Sequence, residues 1–426
     1  MNELPNEILL KIFSQVSSSD LINLTSQCYR FNEIISKSEL AHKLTLYFRK
    51  LNPNDDEIIR NRKYQRLKIG FFKPQLHTKI VQEIGASLRQ LEFAFCKLKL
   101  DIVRRVLCLC PNVKDLKFVK IDLSDVPNRF QEQPLPVLLD VDVKMTLSDP
   151  RIFKVLSTSV VTAVTMDHKY RHASGNVSDF TQFLLNQSEL KELTITDFFR
   201  TNLFLDTSLN NVAFRLTTLR IKDVNLVRTD FFKIFLENNH LESLETLEVQ
   251  KLEKCNLTPI IGNCKFLKRL KFDATNGLND LEELPNLEIL TLFAQLPLKL
   301  NQLIHKFPSL REVEMHYCRL SYDEEEFMNA YGRISHPDHL TTLRIIDTTV
   351  ARLKTKTIKI LMLKNVKICE NFFENNQNIE ELHVENCDFN DDVLEAAITY
   401  QNVLKKLTII GENITQKTID RIADNC

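Results

Sequence analysis

Metal, nucleophilic and acid–base chemistry all run through histidine, cysteine and carboxylate groups, and the spacing of these residues here suits none of the three. His168 and His172 stand four apart in a polar stretch, and His336 and His339 follow Cys318, but neither set supplies four ligands. The sequence has no CxxC pair, no HExxH pair and no GxSxG elbow. Asp323-Glu324-Glu325-Glu326 reads as the first turn of a solvated helix, where negative charge suits the N-terminal dipole, rather than as a catalytic dyad. Cys108 and Cys110 share a helical run and diverge around its axis. The 7 glycines are scattered, with none closer together than Gly70 and Gly85, which leaves no phosphate cradle or dinucleotide fingerprint. No catalytic residue, metal or cofactor is therefore expected, and the chain reads as a binding protein rather than an enzyme.

The elements that build the binding surface come from a repeat. An apolar trio spaced LxxLxL starts at Leu88, Val113, Leu138, Val161, Leu190, Leu216, Leu244, Leu267, Leu287, Leu310, Leu340, Ile358, Ile379 and Leu404. A trio recurring at this interval is the mark of a solenoid whose units bury one another. The end of each trio alternates apolar and polar, as in Leu193-Thr194-Ile195-Thr196, which predicts one strand per repeat with one face buried. An apolar residue often returns ten positions from the start (Leu98, Leu123, Leu320, Val350) and should anchor the turn. Longer repeats add helical spacing for an outer, convex layer, whereas the step from Leu340 to Ile358 is too short for a full helix. Cys96, Cys318 and Cys387 share one offset, eight residues after their trio starts, and read as a structural slot.

The composition, 43% hydrophobic and 26% charged over 426 residues, supports a large core, and no apolar run reaches membrane-spanning length. The opening MNELPNEILLKIF has no basic leader, which argues against secretion and for a cytoplasmic or nuclear protein with reduced thiols. Net charge is +0, yet residues 41–120 hold 18 basic against 7 acidic side chains, and residues from 371 onward hold 4 basic against 11 acidic. The basic stretch around Arg60, Arg62, Lys63, Arg66 and Lys68 lacks a nucleic-acid docking motif, so neither nucleic acid nor membrane is expected as a partner.

Ahead of the repeats the period changes. Leu4, Ile8, Leu9, Ile12, Phe13 and Val16 fall on one helical face, with Pro5 suited to the first turn. Ser17-Ser18-Ser19-Asp20 breaks that helix and caps a second carrying Leu21 and Leu24, and a third carries Phe31, Ile34 and Ile35. Three helices this short hide too little surface to stand alone. The string LPNEILLKIFSQV followed by Asp20-Leu21, Leu24, Cys28, Tyr29-Arg30-Phe31 and Leu40 resembles an F-box, the module that docks substrate receptors onto the Skp adaptor of SCF ubiquitin ligases. Phe31 stands where that family often has Trp, and Gln27 where an apolar residue is commoner. The repeats resemble leucine-rich repeats, and LHVENCDFNDDVLEAA resembles their cysteine-containing subtype.

Together these readings give an α/β chain: an N-terminal helical F-box at residues 1–45, a linker and cap at 46–75, and at 76–426 a curved leucine-rich-repeat solenoid of about 14 repeats, with parallel strands on the concave face. The resemblance implies adaptor binding by Leu4, Pro5, Ile8, Leu9, Ile12, Phe13, Leu21, Leu24, Cys28 and Phe31, with a cullin reached through the Skp adaptor. On the concave face, period-two alternation points Ile289, Phe293, Ile346, Ile360 and Met362 outward as an apolar stripe, flanked by Glu312, Glu314, His316 and Arg344, where an unidentified protein substrate would dock. The basic set Arg220, Lys222, Arg269 and Lys271 reads as ordinary surface charge interrupted by Glu248. The alternative is a repeat protein that only binds or inhibits, its N-terminal helices serving as a cap.

Overall fold

The later residues of the trios lie in strands, and these strands build the sheet. The structure is a computed structural model describing residues 4–38, 40, 45–48, 64–70, 74–119, 121–124, 141–145, 152–156, 161–167, 177–196, 209, 211–222, 234–237, 240–250, 258–273, 283–293, 297–299, 306–317, 319–323, 339–354, 357–367, 373, 378–387, 403–411, 416 and 420. It divides into two compact units, residues 1–216 and 217–426.

The first unit opens with helices α1 (Asn6–Ser14), α2 (Ser18–Gln27) and α3 (Tyr29–Lys37). Strands β1 (Thr45–Phe48), β2 (Arg66–Gly70), β3 (Gln90–Ala94), β5 (Asp115–Val119), β7 (Val141–Met145), β8 (Val161–Asp167) and β9 (Glu192–Thr196) come next, neighbouring in that order. The short β4 (Lys97–Lys99) and β6 (Asp122–Ser124) pair separately, with Leu98 opposite Leu123. Between strands run α4 (Pro74–Ile84), α5 (Leu100–Cys108), α6 (Ile152–Leu156) and α7 (Val177–Leu185). Helix α5 buries Val103, Val106 and Leu107 and exposes Asp101, Arg105 and Cys108, the one-sided burial that helical spacing produces.

In the second unit β10 (Thr218–Lys222), β11 (Thr246–Gln250), β12 (Arg269–Asp273), β13 (Ile289–Phe293), β15 (Glu312–His316), β17 (Thr342–Ile346), β19 (Ile360–Lys364), β20 (Glu381–Glu385) and β21 (Lys406–Ile410) form the parallel series, with a short helix α8 at Thr258–Ile261. The strands β14 (Pro297–Lys299), β16 (Arg319–Asp323) and β18 (Thr349–Lys354) form a second ladder that takes in the predicted anchors Leu320 and Val350. The short step after Leu340 is filled by β18, in keeping with its lack of room for a helix.

All fourteen trios give a strand, and one more precedes them. Tyr64, Leu67 and Ile69 have the same spacing and are buried, and Leu67 pairs with Leu91. Residues 46–75, expected to be linker and cap, thus contribute β1 and β2; the aromatic at the first position hid this repeat.

Two hydrogen-bond ladders flank the strands. Among the described residues, the residue after a trio start repeatedly donates its N–H to its counterpart one repeat earlier: Lys268 to Glu245 O at 2.8 Å, Glu288 to Lys268 O at 2.8 Å, Arg311 to Glu288 O at 2.8 Å. At the other end, seven residues after the trio start, the chain enters the left-handed region at Phe95 (φ 53°), Tyr317 (59°), Asp347 (52°), Asn365 (52°) and Asn386 (50°). Each of these donates its N–H forward to the end of the next strand, as Asn365 does to Glu385 O at 2.9 Å and Asn386 to Ile410 O at 2.7 Å. The cysteine slot comes one residue later. There Cys96 Sγ donates to Ala94 O (3.0 Å), Thr348 Oγ1 to Ile346 O (2.8 Å) and Cys387 Sγ to Glu385 O (3.5 Å), so the slot takes a small buried donor for a carbonyl two residues back. Cys318 lies outside the described residues. Among those residues no helix is long and apolar enough to cross a membrane.

Candidate functional site

Helix α1 carries two adjacent stripes that a sequence reading merges into one face. Leu9 and Phe13 turn inward and are fully buried, and the Phe13 ring meets Phe31 of α3 edge-on at 5.2 Å. Ile8 and Ile12, a turn apart, remain 43% and 36% exposed. Ser17 caps α2 by accepting from Asp20 N–H (3.3 Å), as its position predicted. Arg30 donates to Leu4 O (2.7 Å) and to Asn6 Oδ1 (2.8 Å), tying the start of α1 to α3. Of the ten residues assigned to adaptor contact, Leu9, Phe13, Leu21 and Phe31 therefore form the core of the helical unit. Pro5 is exposed, and Leu4, Leu24 and Cys28 are half-buried. The outer stripe of α1 is Ile8 and Ile12, and Tyr29 stands 82% exposed at the start of α3.

The second candidate surface is the outward grid of the second unit. Parallel register aligns the first, third and fifth residues of successive strands, so Ile289, Glu312, Thr342 and Ile360 form one row, Thr291, Glu314, Arg344 and Met362 the next, and Phe293, His316, Ile346 and Lys364 the third. All nine residues predicted for this surface lie in these rows. Their side chains are half-buried because neighbouring columns lean on one another.

The grid is wired by contacts between columns. The Phe293 and His316 rings stack with centroids 4.3 Å apart, and Lys271 Nζ lies 5.3 Å from the Phe293 centroid. His316 Nε2 is 2.7 Å from Glu314 Oε1, and this bond, ahead of the cost of burial, holds the Glu314 carboxyl below its ordinary value. Arg344 pairs with Glu312 and donates through Nε to Met362 Sδ at 3.1 Å. Lys364 reaches Glu385 Oε1 at 2.6 Å. Two contributors escaped the sequence reading: Lys271 as the cation over Phe293, and Tyr317, which is 57% exposed beside His316 in a left-handed backbone. The recurring offset of seven residues would have located Tyr317.

Cys96, Cys110, Cys264 and Cys387 are buried. Burial pushes both Cys110 and Cys264 up to about 12, and Cys108 is exposed two residues from Cys110. His168, His172, His336 and Glu324–Glu326 lie outside the described residues, and His339 is exposed. Among the described residues no group of three or more His, Cys, Asp or Glu is placed to hold a metal.

Residues 1–47 match the F-box-like family. No curated protein matches the chain in sequence. Among solved structures, a chain of the Toll–Spatzle complex of Drosophila aligns at 14% identity with a TM-score of 0.45, over 86% of this chain and 54% of its own length. A chain of the Rad7 and Elc1 complex in yeast aligns at 14% identity and a TM-score of 0.45, over 96% and 89%. A protein from Bacteroides fragilis aligns at 12% identity and 0.30, over 75% and 78%. This chain thus spans about half the length of the matched Toll-complex chain. The three N-terminal helices are an F-box-like domain, and the repeats after them lay down parallel strands.

Proposed function

We propose that the chain is the substrate-recognition subunit of an SCF-type ubiquitin ligase. The F-box-like domain docks the Skp adaptor, which ties the chain to a cullin, and the outward face of the repeats holds a protein target for ubiquitin transfer. The chain contributes no bond-making step; it raises the local concentration of target lysines near a ubiquitin-charged enzyme. Such a receptor works in the cytoplasm or nucleus, with no nucleic acid, membrane or cofactor required.

The observation that carries this reading is the pair Ile8 and Ile12, apolar and exposed on the outer stripe of α1 in an F-box-like domain. Covering two such side chains is favourable only against a partner that is itself apolar. Co-purification with the Skp adaptor tests it. The full chain should retain the adaptor, and Ile8→Asp with Ile12→Asp should lose it, because a buried carboxylate without a partner is costly. The competing reading, a repeat protein that binds or inhibits without recruiting the ligase, draws on the closed core of Leu9, Phe13, Leu21 and Phe31, which already suits a cap. Failure of the unaltered chain to retain the adaptor would select it.

A further inference from the structure

Most charges on the outward grid of the second unit cancel within the grid. Glu248 takes both Arg220 (2.9 Å) and Lys222 (3.2 Å), and these partners lower its pKa against the cost of its burial. Glu312 takes Arg344, Glu314 takes His316, Glu385 takes Lys364, and Glu381 takes Lys406 at 3.6 Å. Column β12 is the exception. Arg269 and Lys271 occupy its first and second outward positions, and neither forms a salt bridge among the described residues, although Glu248 of β11 lies opposite Lys271 in register and the Lys271 charge reaches Glu314. Their register partners on β13 are Ile289 and Thr291, and Phe293 stands in the next row, already beneath the Lys271 ammonium.

We propose that this surface binds an extended protein segment in which an acidic side chain stands two residues from a large apolar one, the carboxylate at Arg269 and Lys271 and the apolar group against Phe293 and His316. This deepens the receptor reading for the repeats but does not depend on adaptor docking.

The spacing supports it. Residues i and i+2 of an extended segment place side chains on one side about 7 Å apart, and the Lys271 ammonium already reaches to 5.3 Å from the Phe293 centroid, so an acid held on that ammonium leaves the next same-side residue over Phe293 and His316. Asp273 is the third outward residue of β12, so the two cations occupy its first two rows. Phe293 and His316 offer a stacked platform that is half-buried before any ligand arrives, so little conformational freedom is lost on contact.

The test is selection of random linear phage-displayed peptides on the full chain, followed by affinity measurement on a selected peptide. The expected result is enrichment of Asp or Glu two positions from an aromatic or aliphatic residue. Arg269→Glu with Lys271→Glu should weaken the selected peptide roughly tenfold or more, as loss of charge-assisted bonds does, and Phe293→Ala should weaken it independently. Circular dichroism melting of the same variants separates lost binding from lost fold, since all three positions are outward. Absence of enrichment, peptides without the acidic bias, or recovery of the same peptides by the double charge variant would overturn the proposal. Adaptor co-purification of the charge variant should be unchanged, so a failure here and a failure of the F-box reading are told apart.

Discussion

His316 Nε2 sits 2.7 Å from Glu314 Oε1, two residues back on the same outward face of β15, so one strand supplies both halves of a pair that also stacks on Phe293 of β13. The His316 bond leads the lowering of the Glu314 pKa, and the Lys271 charge adds to it. A carboxylate whose folded pKa lies below its unfolded value stabilises the fold fully above the unfolded value, and loses that contribution as pH falls through the folded one. Glu314→Gln should therefore reduce stability at neutral pH by up to about 1 kcal/mol, as partly exposed ion pairs do. The difference from the unaltered chain should shrink as pH drops below the ordinary value of 4.5 and vanish beneath the lowered one. Paired thermal melts across that range check it, and a difference that persisted in acid would assign the effect to packing.

Helix α1 makes opposite predictions for adjacent stripes. Phe13→Ala removes a fully buried ring packed edge-on against Phe31 and should cost about 3–5 kcal/mol, enough to loosen a three-helix unit with so small a core. Ile8→Asp, at a position 43% exposed, should leave the helices protected. Hydrogen exchange over residues 6–37 reads the contrast directly. Equal loss of protection in both variants would mean that Ile8 also faces inward.

The strands were legible because the trio fixes two inward positions, and period two then places every outward residue; Glu312, Arg344 and Met362 fell where alternation put them. The β2 repeat was not legible, since Tyr64 occupies the slot elsewhere held by an aliphatic residue. The inner and outer stripes of α1 could not be told apart either. Leu9 and Phe13 lie only one residue round from Ile8 and Ile12, and the choice between them is made by the Phe31 ring from another helix. Ion pairing was the least legible feature. Glu248 looked like an interruption of a basic field, but the register of β10 against β11 makes it the acceptor for Arg220 and Lys222, leaving Arg269 and Lys271 of β12 without a salt bridge among the described residues.

Asn386 holds a left-handed backbone, φ 50°, while its N–H donates to Ile410 O at 2.7 Å and couples β20 to β21. Asparagine tolerates this region better than residues with an apolar Cβ branch. Asn386→Ala should cost about 1 kcal/mol and Asn386→Gly should be close to neutral, since only the former adds strain without local compensation. Because repeat stability is carried by neighbouring interfaces, the loss should appear first as faster amide exchange in β21 and not as a uniform change. Uniform exchange across the second unit would show that the turn is not a local coupling.

Gly85 shows how closely successive turns approach in the first unit. A Cβ built there would lie 2.2 Å from Leu109 O, 3.0 Å from Leu109 C and 3.3 Å from Cys110 Sγ. The first two are backbone atoms just past the end of α5, and that backbone is anchored: Leu109 N–H donates to Val106 O, Cys110 N–H to Leu107 O, and Val113 N–H to Cys110 O. Leu109 cannot retreat without breaking these bonds or displacing Cys110, which is itself fully buried. Gly85→Ala should therefore destabilise the unit by about 1–3 kcal/mol, the usual cost of adding a methyl to a filled core. In most exposed or loosely packed positions the same change would instead stabilise, by restricting the unfolded chain. The sign of the melting shift decides between the two: a downward shift reports the contact with Leu109, and an upward one would show that the turns stand further apart.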